Sequence, residues 1–458
     1  MLPSLVKTVL FPAHERIIGR PTFRYLADLE RSQWLSRTEI ERLQGRKLAA
    51  LLRTAAAHCP WHAERIRESG IDVAAEAIDR DTLRRMPTMT KADARAAGDT
   101  IVWRDIPGGA HPYNTGGSTG APLIFYIGRE RQASDAAGRM RARRWWNIDV
   151  GSREVFLWGA PVELNRTDRI KTLRDRLFNQ LLLNAFAMSP AAMDEYAARI
   201  RAYRPACIYG YASSLALLAA HARARGLPLA TPALRLVCTT GEPLFPDQRA
   251  LIEDAFGVPV AVEYGSRDSG FIAHQAPSGQ LLVLSESTLV EVLDAAGNPV
   301  PDGELGEAVI TGLCSQAQPF IRYRTGDMVR MSAAPCRDGR GLHVLDEVVG
   351  RQTDFVVAAD GRIMHALAVI YVLRAIPGVG EFKIIQHAVN RLEVLVVPDA
   401  AWSESAGAQV IDGLQERLGP DTAVELRLVD EIPPEASGKH RYVVSHVPLP
   451  SQLTEAGG

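Results

Sequence analysis

The chain lacks several features that would have narrowed its class at once. Its five cysteines (59, 207, 238, 314 and 336) are scattered and form no CxxC pair, which fits a reduced, cytoplasmic protein and excludes a disulfide framework. Charge of one sign is missing too. Lys+Arg number 52 against Asp+Glu 53, so the total calls for neither nucleic acid nor a membrane surface as partner. No apolar run approaches the ~20 residues needed to span a bilayer. The apolar stretch at residues 1–11 is broken by Pro3 and Lys7, so no secretory signal is expected. Finally, no Gly-Lys-Ser/Thr sequence closes a glycine-rich loop, which excludes a Walker-type phosphate site.

What is present is one short stretch, Asn114-Thr115-Gly116-Gly117-Ser118-Thr119-Gly120. Glycines allow the backbone to fold back and bring its N–H groups close to a ligand. Hydroxyls add donors without bulk. Residues 123–127, after it, read as a strand, so a polyphosphate cradle and a glycine-rich hairpin turn both fit.

With 458 residues, roughly two to four domains are expected. Residues 1 to about 100 read as helical. The run 46–57 has Leu48, Leu51, Leu52 and Ala55 at helical spacing and stops at Pro60; Thr90 is a plausible N-cap. A helix is expected over 133–146. Its basic cluster, Arg139 to Arg144, reads as the solvated side of a helix whose aromatic side (Trp145, Trp146) is buried. Strands are expected at 154–158, 207–211, 234–239 and 259–263, and helices at 191–203, 213–224 and 246–256. The last helix, between strands 234–239 and 259–263, makes a βαβ unit with parallel strands. Its two polar loops, Thr240-Gly241-Glu242-Pro243 and Tyr264-Gly265-Ser266-Arg267-Asp268, emerge at carboxyl strand ends, where open parallel sheets bind ligands. Strands at 281–284, 289–293 and 308–311 suggest an antiparallel subdomain. A boundary is expected at 350–354, followed by a small α/β unit with strands at 381–386, 391–397 and 424–429 and a helix at 409–418.

In order along the chain stand the segments 114–123 (NTGGSTGAPL), 239–244 (TTGEPL), 262–270 (VEYGSRDSG), 323–327 (YRTGD), 350–354 (GRQTD) and 436–439 (ASGK). Together with 46–61 and 86–93, they resemble the adenylate-forming enzymes, in particular the phenylacetate–CoA ligase-like branch, over nearly the whole chain. The resemblance implies an α/β fold: a large N-terminal AMP-binding domain (1–350), with a parallel βαβ core and an antiparallel subdomain, and a small mobile α+β lid (351–458). It also implies a ligase that uses ATP and Mg²⁺ to turn a small carboxylic acid into an acyl- or aryl-adenylate, then passes the acyl group to coenzyme A. An amine or hydroxyl acceptor, or a catalytically lapsed nucleotide-binding scaffold, are the alternatives.

By resemblance, Thr115, Gly116, Gly117, Ser118, Thr119 and Gly120 contact the phosphates. Gly241, Glu242 and Pro243 line the adenine, and Tyr264 stacks on it beside Gly265 and Ser266. Asp327 accepts the ribose hydroxyls, and Arg351 assists at the ribose and marks the hinge. Lys439 is the catalytic cation, with Thr119 and Asp268 beside it. Trp158, Tyr209, Gly210 and Tyr211 are expected in the acyl pocket, where glycine beside an aromatic ring leaves room for a ligand. The chain departs from the family pattern in four places. Asp268 stands where a glutamate usually helps hold Mg²⁺. Arg267 replaces a common threonine. Thr353 stands where the hinge usually has Asp or Lys. The positions of a structural zinc site found in some relatives hold Ala276, Leu282, Cys336 and Asp338, so no zinc is expected.

Overall fold

The structure is a computed structural model. It describes residues 1–114, 123–159, 174–185, 188–241, 244, 246–294, 296–348, 355–432 and 442–447. Helices are the regular elements of the first 101 residues, joined by irregular stretches such as 69–79. The long helix Arg37–His58 opens on a capping box in which Ser36 and Glu39 each satisfy the other's backbone N–H, and it buries Leu48, Leu51, Leu52 and Ala55 as their spacing predicts. Pro60 does more than stop that run. Cys59 is extended, and Pro60 takes the first position of a second helix, Pro60–Glu68, where its missing N–H costs nothing. Thr90 caps the helix Lys91–Ala97 in a second box, with Asp93.

Strands β1 (His111–Asn114) and β2 (Ile124–Ile127) pair antiparallel, His111 opposite Ile127 and Asn114 opposite Ile124. The glycine stretch therefore joins the two arms of a hairpin. Residues 115–122 themselves lie outside the described residues.

One sheet of eleven strands dominates. Its strands are β3 (Glu154–Trp158), β4 (Gln180–Asn184), β5 (Cys207–Gly210), β6 (Leu236–Thr240), β7 (Val260–Ser266), β8 (Gly270–Gln275), β9 (Leu281–Val283), β10 (Thr288–Leu293), β11 (Leu305–Gly312), β12 (Tyr323–Met331) and β13 (Val344–Val348). Their order across the sheet is β10-β11-β12-β13-β9-β8-β7-β6-β5-β3-β4. Strands β4, β3, β5, β6 and β7 run parallel, and every later pairing is antiparallel. The expected βαβ unit is present, β6–helix Pro246–Phe256–β7, with Val237 opposite Val260. The expected antiparallel subdomain is not a separate sheet. It continues the parallel half through β8, which pairs with β7 in a tight hairpin and so carries the hydrogen-bond ladder across. β7 also runs three residues further than the sequence suggested, taking Tyr264, Gly265 and Ser266 into the strand.

The C-terminal α+β region has a small two-stranded sheet, β14 (Phe355–Val357) with β15 (Ile363–His365). It also has a four-stranded sheet of β16 (Val379–Ala388), β17 (Arg391–Pro398), β18 (Ala423–Leu428) and β19 (Val443–Ser445), in the order β18-β17-β16-β19. Period-two alternation buries Leu392, Val394 and Val396 of β17, and these meet Val410, Leu414 and Leu418 of the helix Glu404–Leu418. The expected boundary at 350–354 lies outside the described residues.

Candidate active site

The parallel strands end, at their carboxyl tips, on the segments the sequence singled out. Two β-bulges shape the arrangement. One shifts the β7/β8 register between Tyr264 and Gly265. The other interrupts β11/β12 between Glu307 and Val309, where Gly326 takes a left-handed φ of 76°. Bulges re-aim side chains locally, and here they bring distant segments together: the Tyr264 hydroxyl donates to Asp327 Oδ2 at 3.2 Å. Thr325 Oγ1 accepts from the Asp327 N–H, and Glu307 accepts from Gly326 N–H. Asp327 is thus fixed on a strand rather than loose in a surface turn. Gly265 has a simple steric reason, since a Cβ there would lie 2.5 Å from the Gly270 carbonyl oxygen.

Asp268 sits in the β7–β8 turn, buried, with Oδ1 accepting from the Ser266 hydroxyl at 2.5 Å and Oδ2 from Tyr323 at 2.8 Å. Burial pushes its carboxyl pKa up. The Lys91 charge and those two hydroxyls outweigh burial and hold it below the ordinary carboxylate range. Lys91 comes from far away in sequence. Backbone bonds between Met89 and both Arg322 and Arg324 clip its segment onto β12. Arg267 Nη1 reaches Asn114 at both its carbonyl and side-chain oxygens, each 3.3 Å away. This ties the β7–β8 turn to the last described residue before the glycine stretch.

A second group lies at the ends of β3, β5 and β6. Trp158 and Tyr211 stack at 4.2 Å, and Trp158 and Tyr209 are 5.7 Å apart. A Cβ on Gly241 (φ 79°) would meet the Tyr211 ring at 3.3 Å, so the β6 loop abuts this aromatic wall. Gly210 is explained by backbone packing. A Cβ there would lie 2.7 Å from the Leu157 carbonyl oxygen, so the missing side chain lets β3 and β5 approach rather than opening space for a ligand.

The two groups meet through Glu263, the buried residue just before Tyr264. Its carboxylate accepts from Tyr209 Oη at 2.7 Å and from Arg139 Nε and Nη2 at 3.0–3.3 Å. Burial raises its pKa, but Arg139 and then Arg143 dominate and bring it to about 2. Next to it, Arg143 donates to His274 Nε2 at 2.9 Å. Burial and the Arg143 charge lower that histidine to about 4, so it is neutral near pH 7.

Sequence reasoning missed Asp135, Arg139, Glu263, Tyr323 and Lys91. The available signal was weak: an acid closing an apolar strand, and Asp135, Arg139 and Arg143 at i, i+4, i+8 of one helix. The basic cluster must also be corrected. The helix spans Arg129–Trp145, and its basic cluster is not simply its solvated face: Arg141 and Arg143 are buried, while Arg139 and Arg144 stay part-exposed. The charges of Arg141 and Arg143 are matched by Glu286 and Glu154, partners the local pattern cannot show.

Of the remaining expected site residues, Thr115, Gly116, Gly117, Ser118, Thr119, Gly120, Glu242, Pro243, Arg351 and Lys439 lie outside the described residues, as does Thr353. The four positions aligned with a zinc site do converge in part. Ala276, Leu282 and Cys336 pack with Ile40 and Leu342 in an apolar cluster, while Asp338 is bonded to Ser278 and Arg340. Among the described residues, the side chains close enough to share a metal ion are Cys238, Glu263 and His274. Two of the three already engage Arg139 and Arg143, and two guanidinium groups are hostile neighbours for a cation.

Comparison with known proteins adds to this picture. Residues 356–446 match the family model described as the CapK C-terminal domain. Protein CapK of Staphylococcus aureus is 21% identical over 369 residues, covering 80% of each chain. A phenylacetate–coenzyme A ligase of Thermus thermophilus is 24% identical over 368 residues, covering 75% of this chain and 77% of that one. Among solved structures, 2-hydroxyisobutyryl-CoA ligase in complex with 2-HIB-AMP and CoA superposes with a TM-score of 0.60 at 22% identity, over 93% of this chain and 94% of that one. These likenesses to a phenylacetate–CoA ligase and to CapK support the resemblance to the phenylacetate–CoA ligase-like branch of the adenylate-forming enzymes. The chain's mixed α/β fold, with one large sheet, an antiparallel portion and a C-terminal α+β region, is the fold of adenylate-forming ligases. Among the described residues, no helix is long and apolar enough to cross a membrane.

Proposed function

We propose that this protein is an ATP-dependent ligase that activates a carboxylic acid as its acyl- or aryl-adenylate and passes the acyl group to coenzyme A. The observation that carries the reading is the convergence at the β7–β8 hairpin. Tyr264 touches Asp327, Asp268 touches Tyr323, and Arg267 touches Asn114 at the edge of the glycine stretch. Three segments far apart in sequence thereby surround one place.

In this reading Tyr264 and the Gly241–Pro243 turn hold the adenine, and Asp327 accepts both ribose hydroxyls, as an ionised carboxylate can. Residues 115–120 offer N–H and hydroxyl donors to the phosphates. A carboxylate oxygen of the acid attacks the α-phosphorus. The new P–O bond forms as the bond to the β-phosphate breaks, and pyrophosphate leaves. Lys439, a compact cation, neutralises the charge that gathers there. In the second half-reaction a thiolate attacks the acyl carbon, a C–S bond forms, the C–O bond to the phosphate breaks, and AMP departs. Mg²⁺ fits the donors at the turn: an ionised Asp268 and the Ser266 hydroxyl are hard oxygen ligands, which that ion takes. When bound it supplies charge neutralisation on the phosphates. The division into domains 1–350 and 351–458, with a hinge in 350–354 at Arg351 and a mobile C-terminal lid, is part of the same proposal.

Carboxylate-dependent exchange of pyrophosphate into ATP tests the reading. Exchange is expected with some member of a broad acid panel, and its absence in folded protein overturns the assignment. Lys439→Ala should slow exchange by about 10²–10³-fold, the cost of removing one group aimed at transition-state charge, with ATP affinity nearly unchanged.

A second reading keeps the adenylate and changes the acceptor to an amine or hydroxyl. It is favoured by the CapK match, which falls on the C-terminal region, the part that would build the acceptor tunnel. Mass spectrometry of products formed with coenzyme A or with amines separates the two.

A further inference from the structure

The helix Arg129–Trp145 lines up Asp135, Arg139 and Arg143 on one face, one turn apart. Arg143 is buried against His274. The other two are not sealed. Arg139 keeps 42% of its side chain accessible although its guanidinium is bonded to Glu263, which is 4% accessible within the sheet. Asp135 keeps 28%. Both nevertheless stand among protein groups. Arg139 lies over the Phe271 ring, and Asp135 Oδ1 accepts the Phe271 N–H at 3.3 Å. Burial raises the Asp135 carboxyl pKa against the pull of Arg131 and Arg139.

The two side chains have polar capacity left over. Arg139 spends Nε and Nη2 on Glu263; its Nη1 has no hydrogen-bond partner among the described residues. Asp135 Oδ2 has only a loose ion pair, 3.6 Å from Arg131 Nε. The contacts run on from Glu263 to Tyr209, Trp158 and Tyr211, the aromatic wall that the family resemblance leads one to expect in the acyl pocket. In the other direction, a Cβ on Gly270 would lie 2.8 Å from Asp135 Oδ1, so Asp135 also touches the hairpin that carries Tyr264 and Asp268. An apolar acyl chain seated here would strip water from a guanidinium nitrogen and a carboxylate oxygen and return nothing. A hydroxyl has what each lacks, a lone pair for Arg139 and a proton for Asp135.

We propose that the acid activated by this protein carries a hydroxyl group away from its carboxylate, and that Asp135 and Arg139 select for it. The inference rests on the adenylation reading and narrows its substrate class. The test is pyrophosphate exchange with the full-length protein over matched acid pairs, each hydroxy acid beside its deoxy counterpart, in aryl, aliphatic and polyol series. The hydroxylated member of the best pair should have a kcat/KM at least about tenfold higher, as expected where a site is built to bond the hydroxyl. Asp135→Ala should reduce that preference about tenfold or more, read as the ratio of the hydroxy to the deoxy acid whatever its effect on the deoxy rate. Arg139→Lys, which keeps a cation beside Glu263, should reduce the preference too and serves if the first variant does not fold. Deoxy acids used as well as their partners, or a preference untouched in both variants, overturns the inference while adenylation stands. No exchange with any pair takes down the adenylation reading and this inference with it.

Discussion

The part of the chain up to residue 348 and the C-terminal region are stabilised by different means. Among the described residues, the C-terminal region buries only Gln386 and Thr422 as polar side chains. Gln386 is satisfied there, bonding both the N–H and the carbonyl of Val357 and so stitching β14 to the sheet. Its core is otherwise aliphatic, and non-directional burial carries it. The first 348 residues bury arginines, glutamates and histidines between helix and sheet. Arg141 and Glu286 meet at 2.5 Å with both side chains 1% accessible. Arg322 and Glu291 form a second buried pair, in which Arg322 also donates to the carbonyls of Arg84 and Met86. Such pairs gain little over apolar packing, because desolvation offsets the attraction, but losing one partner is costly. They act as locks that hold one arrangement. The first of them anchors the helix that also carries Asp135 and Arg139, where the candidate site needs fixed geometry.

The widest separation between the two regions should appear in acid. Burial, followed by the charge of Arg65, Arg143 and Arg80 respectively, lowers His62 to about 3 and His274 and His343 to about 4. The unfolded chain takes up these protons from about pH 6.5 down, and the folded one takes them up only near pH 4 or below. Stability from these groups is therefore complete above about pH 6.5 and lost as pH falls toward 4, on the order of several kcal/mol in all. Urea midpoints between pH 7 and 4 should fall, and limited proteolysis should open residues 1–348 first. Earlier acid cleavage within 355–447 would break the contrast. Next in size is Arg141→Met, which strands Glu286 with little beyond the Ser32 hydroxyl. A loss of about 3–5 kcal/mol is expected, most of it regained in the Arg141→Met/Glu286→Leu double variant. If the double variant were no better than the single, the pair would be contributing more than mutual neutralisation. The smallest effect is Ile384→Val in the C-terminal core, costing about 0.5–1.5 kcal/mol and, unlike the others, independent of pH between 5 and 8 by denaturant titration.

The same contrast governed what could be read in advance. The strands at 379–388, 391–398 and 423–428, and the helix at 404–418, were legible to within a few residues because period-two and helical spacing report burial locally. Pro246–Phe256 was legible to the residue, flanked by proline and by Gly257 at φ 68°. Strands β8, β12 and β13 were not, since strands that carry charges, bulges or burial on both faces show no clean alternation. The arginines of the Arg129–Trp145 helix were misread as solvated because a charge is buried only when its partner arrives: Glu286 lies 145 residues beyond Arg141, and Glu154, though near in the chain, meets Arg143 only once β3 is in the sheet.

The order of motifs along the chain, the parallel βαβ unit and the aliphatic core of the C-terminal region are determined by the sequence alone, since each depends on neighbours a few positions away. The meeting of Tyr264 with Asp327, of Lys91 with Asp268 and of Arg139 with Glu263 is decided by tertiary structure. Bulges, sheet order and buried charge pairing act between residues that only the folded chain makes neighbours.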